Sequence, residues 1–324
     1  MKKNTATHSL HLYFFIICIV VLLSSGVSSC TKETSASTTG DNYISIEDFY
    51  SKNGVALQHY TIDAASGGSF TTTQGTKVTI APAVFEDLSG NIVSGNVDIE
   101  FKDIYKKSDM LLSDMATSYY GRPLKSGGEF FIKATQNNNL LQITPGKRID
   151  VALPLNSEPV DTSMMPFIGV ADSTAINWNL LDSIPSASLT PSISNYIFSL
   201  YEFGTPLSKG TWCNCDDPSF FAAYPQTTLT LHGNDDAEIF HTDVFLVFKN
   251  VNSMIHVYRA AENDYPYVYA PEGLECTVVA TGIKDGNLFS SFTPVTVGLN
   301  QTINFTLNET TTDAFKTQLE TLDD

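Results

Sequence analysis

The chain has 324 residues, of which 35 are acidic and 18 are basic, so its formal net charge at pH 7 is −17. A negative field repels phosphate backbones and anionic lipid surfaces, so we expect no nucleic-acid partner. The length is enough for about two domains of ordinary size, each with its own apolar core.

The first 29 residues have the composition of an export signal. Lys2 and Lys3 precede an apolar run over residues 10–23, which is too short for an ordinary membrane span. The run ends in Val-Ser-Ser-Cys, which looks like a bacterial lipobox with Cys30 as the lipidated residue. We therefore expect a lipid anchor to attach the protein to a membrane. The alternative is a secreted protein cleaved at a nearby small residue, in which Cys30 has no role.

Residues 30–42 are rich in Thr and Ser and show no apolar periodicity, which predicts a flexible tether. Three further cysteines, Cys213, Cys215 and Cys276, belong to the folded part. Exported proteins meet oxidising conditions, so we predict a disulfide between Cys276 and either Cys213 or Cys215, with one thiol left free. A metal site at the Cys-x-Cys pair would need more Cys or His partners than the sequence places there, and we expect no cofactor.

Alternation of apolar and polar residues predicts an all-β fold. The pattern is clearest in residues 75–101, where Val97, Ile99 and Phe101 alternate with charged residues. Residues that favour tight turns separate this strand from the apolar run at 77–80. We therefore predict that the two segments pair as a hairpin.

Further short strands are predicted around this hairpin. Residues 55–62 form the first, and the patterns at 129–134 and 149–153 add others. Residues 103–119 fit either a polar connection or a short helix. Together these elements predict an antiparallel Ig-like β-sandwich over residues 43–155.

The composition changes after the first predicted sandwich. Residues 156–225 are rich in Ser, Pro, Asn and Thr and predict an irregular connector with two strand-like pieces. Strand patterns return at 226–308, where residues 244–248 are apolar on both faces and so belong in the middle of a sheet. We therefore predict a second antiparallel sandwich.

The last segment, residues 309–324, has the pattern of a short amphipathic helix. Phe315 and Leu319 lie on one apolar stripe, and Thr312 or Asp313 can cap the first turn. We expect this helix to close an open end of the second sandwich.

Several motifs resemble a family of uncharacterised lipoproteins common in Bacteroidota. They are GTKVTI at 75–80, DLSGNIVSGNVDIEF at 87–101, GRPLKSGGEFFIKA at 121–134 and ITPGKRIDVALP at 143–154. The later GTWCNCD at 210–216 is similar to the family's Gly-Trp-x-Asn-Cys-Asp, with Thr211 as an extra residue. The resemblance implies an amino-terminal β-sandwich similar to a ZU5 or carboxypeptidase-regulatory-like domain, and it implies no established reaction.

The same resemblance implies O-glycosylation at Ser173 and Ser183. Each serine follows an aspartate in a tripeptide that looks like the Asp-Ser/Thr-apolar sequence modified in Bacteroidota exports. Both lie in the predicted connector, where a transferase could reach them.

Three tyrosines at period two are candidate contacts for a ligand. Tyr265, Tyr267 and Tyr269 place their rings on one face of an extended chain, which could stack on a sugar or a protein partner. Trp212 is a further candidate contact. The alternative is that the tyrosines cover the edge of the sandwich, which Pro266 marks.

An acidic loop near residue 236 is a weak candidate for calcium. Asp235, Asp236 and Glu238 supply oxygen ligands, and His232 and His241 flank them. The alternative is a solvated hairpin tip, so we expect no metal centre here.

The chain lacks the short motifs of serine hydrolases, phosphate-binding loops and zinc peptidases. We therefore expect no catalytic residues and no enzyme. The leading hypothesis is a lipid-anchored protein of the cell envelope, at the periplasmic or surface face of the outer membrane, that binds a protein or glycan. The alternatives are a structural or assembly component of the envelope and a glycan hydrolase with two unrecognised carboxylates.

Overall fold

Strands dominate the part of the chain that the computed structural model describes. The described residues are 42–155, 159–171, 176–180, 187–201, 210–234, 241–260 and 263–323. Most strands pair antiparallel and helices are few, which confirms the predicted all-β, sandwich-type class with a short carboxy-terminal helix. Within the described residues, no helix has the length and apolarity needed to cross a membrane. The signal segment and Cys30 lie outside the described residues.

Eight strands form sheet I. They are β1 (Gln58–Asp63), β4 (Phe85–Asp87), β5 (Asn96–Ile104), β8 (Lys125–Gln136), β9 (Asn139–Ile143), β11 (Met165–Ala171), β12 (Ile176–Leu180) and β15 (Thr211–Asp217). The main path runs β1-β5-β8-β15-β11-β12, and β9 pairs with both β8 and β4.

Five strands form sheet II, which packs on sheet I. They are β2 (Gly68–Thr71), β3 (Lys77–Ile80), β10 (Ile149–Pro154), β13 (Ala187–Pro191) and β14 (Asn195–Leu200), in the order β13-β14-β10-β3-β2. Alternating apolar side chains from the two sheets meet in one buried cluster, the first core, which includes Ile99, Phe130, Val151 and Phe198. Sheets I and II are therefore the two layers of the first sandwich.

The stretch 156–225 is largely strand in its described part, which corrects the prediction of an irregular connector. Strands β11, β12 and β15 complete sheet I, and β13 and β14 complete sheet II. Several polar residues of these strands, including Ser199, Thr211 and Asn214, are buried, so apolar residues alone do not mark the strands. The first sandwich therefore extends from β1 to β15.

The predicted hairpin between residues 77–80 and 97–101 is wrong. Strand β3 pairs with β2 and β10, whereas β5 pairs with β1 and β8, so the two strands lie in opposite sheets. Val78 and Ile99 meet across the first core instead of lying side by side in one sheet. Alternation identifies the buried face of a strand, but it does not identify the partner strand.

Two further sheets form the second sandwich. Sheet III holds β16 (Gln226–Gly233), β19 (Asp264–Pro271) and β22 (Gln301–Phe305), and sheet IV holds β17 (His241–Phe248), β18 (Met254–His256), β20 (Glu275–Lys284), β21 (Asn287–Thr296) and β23 (Asn308–Thr310). Leu231, Leu246, Tyr265 and Val278 are among the residues of its buried cluster, the second core. Strands β16 and β22 pair in parallel, and the other pairs are antiparallel.

A third buried cluster, the middle core, lies between the two sandwiches. Phe167 and Trp178 reach it from sheet I, and Phe245 and Val247 reach it from sheet IV. Strand β17 is therefore covered on both faces, because Val244, Leu246 and Phe248 face the second core. The prediction that residues 244–248 lie inside a sheet is confirmed by its pairing with β18 and β20.

Three short helices complete the middle core. They are α1 (Ile46–Asn53), α2 (Lys107–Leu112) and α3 (Thr312–Glu320). Helix α2 settles the ambiguous stretch 103–119 in favour of a short helix. A two-stranded hairpin follows it, formed by β6 (Ser118–Tyr119) and β7 (Arg122–Pro123).

Helix α3 differs from its prediction in cap and in position. The hydroxyl of Thr311 accepts a hydrogen bond from the Ala314 amide, so Thr311 is the N-cap and not Thr312 or Asp313. The predicted apolar stripe is buried, but it packs in the middle core, where the Phe315 ring contacts the Phe49 ring of α1. The helix therefore joins the two sandwiches instead of closing an end of the second.

Candidate functional site

A surface cleft of about 250 Å³ lies beside the β6–β7 hairpin. Its walls come from the end of β18, from β19 and from residues 114–121, and they include Asp114, His256, Tyr258, Tyr267 and Tyr269. We call it the tyrosine cleft. It adjoins a second compartment of about 230 Å³, which shares Asp114, His256 and Tyr258.

The second compartment adds polar groups from two other elements. Tyr50 of α1 and Asp243 of β17 line it together with the residues that it shares with the tyrosine cleft. The Tyr50 hydroxyl donates a hydrogen bond of 3.0 Å to Asp243 Oδ2 and lies 3.1 Å from the Thr281 hydroxyl. The two compartments form one groove whose floor is His256.

His256 lies between two carboxylates. Its Nε2 is 3.3 Å from Asp243 Oδ1, and its Nδ1 is 3.7 Å from Asp114 Oδ1. The imidazole is 15% exposed, whereas the carboxylates of Asp243 and Asp114 are 22% and 34% exposed. Each ring nitrogen faces a carboxylate oxygen, so the three side chains form a polar array, and all three line the second compartment.

Asp114 has an altered acidity. The pKa of its carboxyl is raised to about 6, chiefly by burial; His256 opposes the shift, and the nearby carboxylates of Asp243 and Glu47 add to it. Its backbone has a φ of 52°, a left-handed conformation that Asp tolerates better than most residues. Near neutral pH this side chain can accept or donate a hydrogen bond, depending on its proton.

Tyr50 is buried behind the array. Burial raises the pKa of its phenol, and the charges of Asp243 and Asp114 add to the effect. The phenol therefore stays protonated and donates to Asp243. This hydrogen bond holds the Asp243 carboxylate in place under His256.

Aromatic rings line the tyrosine cleft. The Tyr258 ring stacks on the His256 ring at a centroid distance of 4.5 Å and remains 58% exposed. The guanidinium of Arg122 lies 4.4 Å from the centre of the Tyr269 ring. The Tyr267 hydroxyl donates to the carbonyl of Gly121, which fixes the β6–β7 hairpin against β19. The cleft thus combines aromatic surfaces with the carboxylate of Asp114, and the adjoining compartment adds that of Asp243.

The three predicted tyrosines do not form an exposed platform. Tyr265 is 1% exposed and Tyr267 is 7% exposed, because their shared face points into the second core. Tyr269 is half-buried and lines the cleft. Trp212 lies on sheet I against Phe131, so the structure does not bring it together with the tyrosines. The alternative interpretation, in which the tyrosines cover the sandwich edge, fits Tyr265 and Tyr267.

The predicted disulfide is absent from the folded part, where Cys213, Cys215 and Cys276 are all free and buried. Cys213 and Cys215 project from β15 into the first core, whereas Cys276 lies in the second core. A bridge between the two cores would have to cross the middle core, which rules out the required sulfur–sulfur contact.

Several predicted sites lie outside the described residues. They are the lipidation site Cys30, the O-glycosylation sites Ser173 and Ser183, and the calcium candidates Asp235, Asp236 and Glu238. At the edge of the acidic loop, His232 Nδ1 lies 2.6 Å from Asp264 Oδ1, so this histidine is paired within sheet III.

The array around His256 has no signature motif in the sequence. Its members Tyr50, Asp114, Asp243 and His256 are distant in sequence, so no short motif reveals them. One local signal was present, since β17 and β18 form a tight hairpin in which Phe245 faces His256. Asp243, two residues before Phe245, therefore lies diagonally opposite His256 on the same face.

Comparison with known proteins leaves the chain without an identified relative. No protein-family model, curated protein or solved structure matches it.

Proposed function

We propose that this chain is a non-enzymatic binding module of the cell envelope that holds a short glycan in the tyrosine cleft. The observation that carries the proposal is the exposed Tyr258 ring, stacked on His256 next to the carboxylates of Asp114 and Asp243. Sugar rings have apolar faces that stack on aromatic rings and hydroxyls that donate to carboxylates. The cleft offers both surfaces within one groove.

The remaining exposed apolar surface supports a glycan over a protein partner. Outside the residues that line the cleft, the large exposed apolar residues of the described chain are Ile44, Leu57, Leu88, Ile92, Tyr120, Ile193 and Leu299. Only Leu88 and Ile92 share a connection, the one between β4 and β5. Single exposed apolar residues are normal, whereas a protein interface needs a contiguous patch. The groove is also concave, as expected for a small ligand.

The proposed location follows from the sequence. A lipid on Cys30 and the Thr/Ser-rich tether would hold the folded unit at the outer membrane and let it reach glycans nearby. The acidic charge keeps the unit away from anionic lipid headgroups.

Glycan arrays and calorimetry with the full chain and its variants test the proposal. We expect Tyr258→Ala to weaken binding by about tenfold or more, which corresponds to about 1.4 kcal/mol of lost stacking. Tyr224→Ala is the matched control, because Tyr224 is half-buried and lines neither compartment. Equal binding by Tyr258→Ala and the wild type would overturn the assignment of the cleft.

Absence of glycan binding by the wild type would overturn the proposed function itself. Co-purification of a stoichiometric membrane partner in that case would favour the alternative of an assembly component.

One observation favours glycan hydrolysis as a second candidate. Asp114, whose pKa is raised to about 6, and Asp243 lie on opposite sides of His256, which resembles the requirement for one protonated and one ionised carboxyl group. Release of new reducing ends from a bound glycan, lost in Asp114→Asn, would support hydrolysis. A glycan recovered intact would support binding alone.

A further inference from the structure

A second cluster of polar side chains lies on sheet I, outside the tyrosine cleft. Glu129 of β8 pairs in register with Asn214 of β15, and Asp216 follows beyond a β-bulge. Phe130, the next residue after Glu129, points into the first core, so Glu129 points to the opposite face of the sheet. Glu129, Asn214 and Asp216 are all 0% exposed. We call these three residues and Ser126 the buried acid cluster.

Three carboxylate oxygens of the buried acid cluster lack partners. Among the described residues, none donates a hydrogen bond to Oε1 or Oε2 of Glu129 or to Oδ1 of Asp216. The Asn214 amide donates to Asp216 Oδ2 at 2.7 Å, and the Ser126 hydroxyl lies 3.3 Å from Asn214 Oδ1. Buried polar groups are nearly always satisfied, so these orphaned oxygens need an explanation.

Protonation alone does not supply the missing partners. Burial and the charge of Asp216 raise the pKa of Glu129. Burial also raises the pKa of Asp216, against the opposing effect of the nearby Ser126 hydroxyl. A proton shared between Glu129 and Asp216 would partner at most two of the three orphaned oxygens and would leave one oxygen of Glu129 unsatisfied. The positive charge of Lys102 acts on Glu129 from β5, but its ammonium makes no hydrogen bond to that carboxylate.

We infer that Glu129, Asn214 and Asp216 bind a calcium ion. All available donors are oxygens, and calcium accepts carboxylate, amide and hydroxyl oxygens in flexible geometry. In the described part of the chain no three His, Cys, Asp or Glu side chains gather at a metal-binding point. Because only two carboxylates are present at the buried acid cluster, the Asn214 amide oxygen and the Ser126 hydroxyl would supply the further oxygen ligands.

The calcium ion would stabilise the junction of the two sandwiches. Ser126 is joined to Asn252, in the turn between β17 and β18, by two hydrogen bonds of 2.7 Å and 3.0 Å. Asn252 also donates to the carbonyl of Tyr105 at 2.9 Å. A cation that fixes β8 to β15 therefore fixes the strand on which the second sandwich rests.

Equilibrium dialysis of the chelator-treated full chain against calcium measures the number of bound ions, and thermal unfolding measures their effect. We expect the wild type to gain about 5 °C in Tm at calcium a hundredfold above Kd. Glu129→Gln and Asp216→Asn should each lose one bound ion per chain. Affinity should rise with pH, because protons compete for the two carboxylates.

Two control variants distinguish calcium binding at the buried acid cluster from calcium binding at other acidic residues. Glu100→Gln makes the same change on the same face of sheet I, where Glu100 pairs with Lys133, and should keep every ion. Asp235→Asn tests the acidic loop and should not remove the ion that Glu129→Gln removes. A wild type that binds no calcium would overturn the inference, as would unchanged stoichiometry in folded Glu129→Gln and Asp216→Asn.

Discussion

The Nε2 atom of His256 lies 3.3 Å from Oδ1 of Asp243, which links strands β18 and β17 on the floor of the tyrosine cleft. Tyr50 donates to the other oxygen of the same carboxylate. The imidazole is thus held by groups from helix α1 and sheet IV. Because the Tyr258 ring stacks on this imidazole, its position is constrained as well. A ligand that stacks on Tyr258 would meet a surface that is already ordered.

Asp114 predicts a pH dependence of stability. Its folded-state pKa of about 6 exceeds the usual carboxyl value, so its contribution to stability is complete below about pH 4 and is lost as the pH rises through 6. Asp114→Asn should therefore gain stability over the wild type between pH 4 and pH 7, as measured by urea unfolding. Asp98→Asn, an exposed site, is the control, and a difference that does not change with pH would contradict the prediction.

We predict that removal of the Phe315 ring causes a large loss of stability. The ring is 0% exposed and contacts Phe49 and Phe292 in the middle core. Phe315→Ala should lower the free energy of unfolding by about 3–5 kcal/mol. Leu299→Ala, at a residue that is 68% exposed, should change it by less than about 0.5 kcal/mol in the same denaturant titration.

We predict that the backbone at Gly210 does not tolerate any side chain. Its φ is 104°, and an added Cβ would collide with the Phe131 ring and approach Lys133 Cβ at 3.1 Å. Gly210→Ala should therefore destabilise the protein by more than Gly146→Ala, where φ is 78° and nothing lies within 4 Å of the added carbon. Gly146→Ala should lower the free energy of unfolding by about 1 kcal/mol, because backbone strain is its only effect. Equal melting temperatures for the two variants would contradict the packing argument.

The buried thiols predict slow alkylation. Burial raises the pKa of Cys276 to about 12 and also raises the pKa values of Cys213 and Cys215. Iodoacetamide at pH 8 should leave these three cysteines unmodified in the folded chain and label all three in urea without reductant. Peptide mass spectrometry checks both states, and a peptide pair linked through sulfur would contradict the structure.

Cys30 predicts the attachment of the chain to membranes. Cys30→Ala removes the only thiol that the lipobox-like sequence can acylate, so the chain should move from the membrane fraction to the soluble fraction. Fractionation followed by immunoblotting measures the distribution. Cys18→Ala is the matched control and should stay with the membranes, whereas retention of Cys30→Ala would contradict lipidation.

Local patterns predicted the faces of strands better than their partners. The buried sides of Val97, Ile99 and Phe101 follow from alternation, and the burial of residues 244–248 on both faces follows from their continuous apolar run. Pairing depends on contacts between distant segments, so the hairpin between 77–80 and 97–101 was wrong. The same limit applies to the polar array, because Tyr50 and His256 are distant in sequence and line one compartment only in the folded chain.

Strand β17 supplies side chains to two cores at once, so the two sandwiches cannot be separated without exposing one of these cores. A fragment that ended before β16 would leave Phe167 and Trp178 uncovered, and one that began there would expose Phe245 and Val247. Both fragments would expose contiguous apolar surfaces, so we expect both to aggregate. Neither sandwich is thus expected to fold alone, and deletions or fusions should keep the two sandwiches together.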